Sequence, residues 1–147
     1  EWSERPRAVA DLSLRRLALL ATGCLYLQIV LGTLLTHRGW LEGHLGGTLL
    51  LLIVVPALVG RVLGRHTKQP ELTRPALWLA GLLALQLLLG LGSYLARFVS
   101  VELPLGLALP VAHRLVGALL LAASLVLTLR ACRSWGGRWV CAPGVAA

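Results

Sequence analysis

The sequence predicts an all-α integral membrane protein, a four-transmembrane-helix bundle made of two parallel-repeated helix pairs. Three observations carry that expectation. Of 147 residues, 57% are hydrophobic and 14% charged, with a mean hydropathy of +0.80, against about 25% charged in soluble chains; a domain this small could not hide so much Leu, Val and Ala from water. The apolar residues gather into four runs, each near the roughly 20 residues that cross about 30 Å of hydrocarbon. Alternating strand patterns are absent, so helices must satisfy the backbone in lipid.

The first run, about Leu17 to Leu35, follows a polar leader and is too long for a signal-peptide core, so it reads as a retained span. The sequence opens at Glu1 without Met, and a few preceding residues are expected to be missing or processed. The second run covers about Leu45 to Val62, the third about Ala76 to Leu95 and the fourth about Val111 to Leu129. Residues 1–16 are expected as a cytoplasmic leader, 17–129 as the membrane domain and 130–147 as a cytoplasmic tail. In that tail Trp135 and Trp139 suit headgroup depth.

A net charge of +8 would suggest nucleic acid in a soluble protein, but its distribution points to the bilayer as partner and away from nucleic acid. Eleven of the 14 basic residues precede span one, lie between spans two and three, or follow span four; only Arg38, Arg97 and Arg114 lie on the other side. The positive-inside rule then places both termini and the Arg61 to Pro75 loop in the cytoplasm of a plasma-membrane protein, with the Thr36 to Gly43 and Arg97 to Pro110 loops outside. Cys132 and Cys141 fall on the reducing side and Cys24 within span one.

The spans repeat. Leu27-Gln28-Ile29-Val30-Leu31-Gly32 matches Leu85-Gln86-Leu87-Leu88-Leu89-Gly90, and His44 with Thr48 and its leucines matches His113 with Gly117 and its leucines. Two helix pairs in the same order and direction form a parallel repeat. It places His44 and His113 at the same depth, each opening an even-numbered span, so the imidazoles can face one another. An ionisable side chain in a membrane is a functional hypothesis by default, and facing imidazoles in a helix bundle suit an iron porphyrin, haem b. Zinc generally needs three or four ligands, and the outer side adds only His37 and Glu42.

Gly47, Thr48 and Gly117 place small groups on the face of each His, where a macrocycle edge could approach, or where helices simply pack. Arg38, Arg97 and Arg114 suit haem propionates or lipid headgroups. Gln28 and Gln86 sit mid-span, suited to a hydrogen bond across to another helix or to a cofactor. His37 caps the end of span one, and His66 reads as a solvated loop residue.

Taken together, Leu-Gln-x-x-Leu-Gly in span one, a His opening span two, Leu-Gln-x-x-x-Gly in span three and His113-Arg114 opening span four resemble one half of the haem A synthase family over about Leu17 to Leu129. The resemblance implies that His44 and His113 form one bis-His site and that Glu42 is the acidic residue of a substrate half. Three features depart from the family pattern: Glu42 stands one residue closer to its His, Leu45 stands where Arg is common, and the outer cysteine pair is absent. Two functions stay open: oxidation of the haem O methyl group by a homo-oligomer, with haem O or B as substrate, or electron transfer by a cytochrome b-like subunit of a larger respiratory or photosynthetic membrane complex. A haem-free scaffold is the third.

Overall fold

A computed structural model describes residues 11–96, 98–99 and 102–133. Four helices account for nearly all of them: α1 Leu12–Arg38, α2 Leu41–Arg65, α3 Pro70–Leu95 and α4 Leu103–Arg133. No strand occurs among the described residues. All four helices are long and apolar enough to cross a membrane. The chain is therefore an all-α, multi-pass bundle of the kind its composition predicts.

The helices run past the apolar stretches at several ends, because hydropathy marks the depth of the bilayer and capping marks the end of a helix. α1 starts at Leu12, inside the expected leader, where the Asp11 carboxylate accepts the Leu14 N–H at 3.0 Å. It stops at Gly39, whose φ of 69° lets its N–H return to the Leu35 carbonyl. The expected loop from Arg61 to Pro75 shrinks to four residues, 66–69, since Pro70 occupies the first position of α3 and suits it. The expected Arg97 to Pro110 loop is helical from Leu103 onward, with Pro104 in the first turn and Pro110 carried inside α4. Arg97 and the tail residues Trp135, Trp139 and Cys141 lie outside the described residues.

Short connections make sequential helices antiparallel neighbours. α1 packs on α2, α2 on α3, α3 on α4, and α4 closes the ring on α1. α1 and α3 face each other across one diagonal, and α2 and α4 across the other. The outer surface is apolar all round, with Ile53 69% and Trp78 70% exposed, as lipid-facing positions should be.

Packing is uneven along the bundle axis. The end carrying the α2–α3 turn, here the Asp11 end, holds the core: Ala18, Ala21 and Leu25 of α1, Leu51, Val55, Leu58 and Val62 of α2, Leu72, Ala76, Leu79 and Leu83 of α3, and Leu120 and Leu127 of α4. Toward the opposite end, the His end, no described side chain between Tyr26 and Leu50 is buried, nor any described one between Ala84 and Leu115. Both histidines of the repeat lie in that less packed half.

Candidate functional site

The site is built twice, once in each helix pair. α1 presents Gln28 and Gly32 to His44 of α2, and α3 presents Gln86 and Gly90 to His113 of α4. Glycine matters most in the second pair: a Cβ on Gly90 would lie only 3.0 Å from the His113 Cε1, whereas one on Gly32 would meet the His44 Cε1 at an ordinary 3.5 Å. The amides need glycine as well. A side chain at Gly47 would collide with the Gln28 Oε1, and one at Gly117 would meet the Gln86 Nε2 at 3.1 Å. Gly47 and Gly117 thus admit the glutamines in this structure, and the two imidazoles rest against glycines of the preceding helix.

The two imidazoles meet across the α2–α4 diagonal, with ring centroids 6.4 Å apart and planes inclined at 69°. His44 and His113 are thus the two side chains that would hold a metal ion brought between these helices. Among the described residues no group of three or more His, Cys, Asp or Glu could hold a metal ion. A metal at this place would have two protein donors and would have to bring its remaining ligands, as an iron porphyrin does.

The hydrogen bonds differ between the halves. His113 Nδ1 lies 3.2 Å from the Gln86 carbonyl oxygen, so it carries the proton and donates. That tautomer leaves the lone pair on Nε2, where the Gln86 side-chain amide, at 3.3 Å, donates to it. Fixing the tautomer through Nδ1–H and a carbonyl is how ligating histidines are usually oriented. In the other half, Gln28 Nε2 donates to the His44 carbonyl at 3.0 Å and to the Thr48 hydroxyl at 2.8 Å, which itself donates to the same carbonyl at 2.9 Å. These two bonds use both amide hydrogens, so the 3.3 Å approach of Gln28 Nε2 to His44 Nδ1 is a contact only. Both glutamine Oε1 atoms are buried without a hydrogen-bond partner.

Other residues singled out by sequence stand farther off. Arg38 ends α1 and Arg114 follows His113; both are exposed at the His end. Glu42 is exposed and lines a cleft of about 380 Å³ with Leu34, Arg38, Gly39 and Trp40. No hydrogen bond or ion pair joins Glu42 to either imidazole. His37 is exposed on the last turn of α1. The reading of His66 as solvated needs correction: its side chain is 12% exposed and its Nε2 lies 3.3 Å from the Asp11 carboxylate, because α2 ends where α1 begins.

One polar feature has no counterpart in the sequence reading. Thr22 of α1 bonds Ser124 and Thr128 of α4 at 2.8 and 2.9 Å, deep in the packed half. The only sequence signal was hydroxyl residues in otherwise aliphatic spans. Neither protein-family models, nor curated proteins, nor solved structures give a match to the chain.

Proposed function

We propose that the chain is a membrane haem b protein that passes single electrons, with His44 and His113 as its axial ligands. The 6.4 Å separation of the two imidazoles across the bundle is the observation that carries this reading. Bound haem b would supply a one-electron iron couple. The protein's part is to hold and orient. His44 and His113 bind, Gln86 sets the His113 tautomer through its carbonyl, Gly90 admits the His113 imidazole, and Arg38 and Arg114 stand at the right end for propionates. With both histidines ligating, oxygen would find no place until one of them was displaced, which favours electron transfer, as in a subunit of a respiratory or photosynthetic complex.

A reduced-minus-oxidised spectrum with pyridine haemochrome typing of the purified protein should give low-spin haem b. His44→Ala and His113→Ala should each abolish the low-spin signature, while His37→Ala and His66→Ala leave it intact. A featureless wild-type spectrum, or low-spin haem retained in both His44→Ala and His113→Ala, rejects the assignment. The second reading is oxidation of haem O by a homo-oligomer, favoured by the cleft that Glu42 shares with Arg38 at the His end. It requires haem A formation in a host lacking its own synthase, lost in Glu42→Gln with haem b retained.

A further inference from the structure

We propose that the two halves of the repeat supply unequal ligands: His44 is the fixed one, and His113 is exchangeable because Gln86 competes for its Nε2. This deepens the haem-binding reading and rests on it. The His44 Nε2 has no hydrogen-bond partner among the described residues, whereas the His113 Nε2 accepts from the Gln86 amide. One pair of residues bears directly on the difference. Four positions after each His, the first half has Thr48 and the second has Gly117.

Thr48 takes one Gln28 amide hydrogen on its hydroxyl at 2.8 Å and the His44 carbonyl takes the other at 3.0 Å, so the amide nitrogen, though 3.3 Å from the His44 Nδ1, has no hydrogen left for the imidazole. Gly117 has no hydroxyl, so the corresponding Gln86 amide turns to the imidazole itself. Flipping the Gln86 amide would not relieve this. The Gln86 carbonyl holds the proton on Nδ1, and a neutral imidazole then offers only a lone pair at Nε2, which needs a donor. If His113 held a metal through Nε2, the Gln86 amide would have to give up that nitrogen and would stand ready to take it back. His44 has no such alternative partner. Gln86 is in this sense a positioning residue that sets how readily one axial place opens.

The test uses the full-length, haem-loaded protein, reduced with dithionite and titrated with carbon monoxide, which reports an opened axial place optically. The wild-type chain should bind carbon monoxide. Gln86→Leu removes the competitor. Gly117→Ser offers Gln86 a hydroxyl beside an amide that a Cβ would meet at 3.1 Å. Each should weaken carbon monoxide binding about fivefold, the worth of one ordinary hydrogen bond. His113→Ala should retain haem in a high-spin form on His44, whereas His44→Ala should lose it. Haem-loaded wild-type protein that refuses carbon monoxide, affinity unmoved in both Gln86→Leu and Gly117→Ser, or equal haem loss in the two His variants would overturn the proposal while leaving haem binding standing. A wild-type chain without haem would overturn the underlying reading instead, and is recognised by its blank spectrum.

Discussion

At Asp11 one carboxylate does three jobs. It caps α1 through the Leu14 N–H, accepts two hydrogen bonds from Arg61 of α2 at 2.8 and 2.9 Å, and faces His66. The Arg61 hydrogen bonds hold the Asp11 carboxyl well below the usual carboxylate range, with burial opposing and the Leu14 N–H and His66 assisting. A carboxyl whose folded pKa is depressed stabilises the fold above its unfolded value near 4, and that contribution is lost as pH falls below it. Asp11→Asn should therefore lower the thermal midpoint in detergent at pH 7 and flatten its decline between about pH 4 and pH 2. An unchanged acid limb would show that the cluster contributes nothing to stability. None of this was legible in the sequence. Asp11 and Arg61 are 50 positions apart, and a His in a basic loop offers no sign that a carboxylate will fold back onto it.

Among the elements, the seam between α1 and α4 is the one that hydropathy could not show. Thr128 donates its single hydroxyl hydrogen to the Ala18 carbonyl at 3.0 Å, so it must accept from Thr22, and Thr22 in turn must accept from Ser124. The chain Ser124 to Thr22 to Thr128 to Ala18 thus has one direction, and its central member joins the first and last helices where small residues let them approach. Thr22→Val should cost between about 0.6 and 1.7 kcal/mol in a membrane-protein unfolding assay; no loss at all would mean the seam is held by packing alone. The helix pairs were easier to read. Gln and His are rare among leucines, so their spacing survived as a repeat, and the structure sets Gln28 beside His44 and Gln86 beside His113. What spacing could not carry was the rotation of each helix. A span of Leu on every side has no preferred face, and so the placing of the amides on the imidazoles, and of Glu42 away from them, is visible only in three dimensions.

Over the whole molecule, charge divides sharply between the two ends. Arg15, Arg16, Arg61, Arg65, Lys68, Arg74, Arg130 and Arg133 gather at the Asp11 end, while Arg38 and Arg114 are the described basic residues at the His end. The proposed orientation, with the Asp11 end in the cytoplasm, follows from that bias. Lys68 and Glu102 are both exposed at opposite ends. In intact cells, Lys68→Cys should be protected from an impermeant thiol reagent and Glu102→Cys labelled; the reverse pattern would move the histidines to the inner leaflet.

The uneven packing also governs how the bundle can deform. Close-packed interiors are stiff, so the Asp11 end acts as a clamp, and the softest collective motion left to the four helices is to splay at the free end like tines rooted in a common handle. Strain from a guest arriving between the tines would then be taken up by bending, which spreads a small displacement over many backbone bonds, while the root keeps its register.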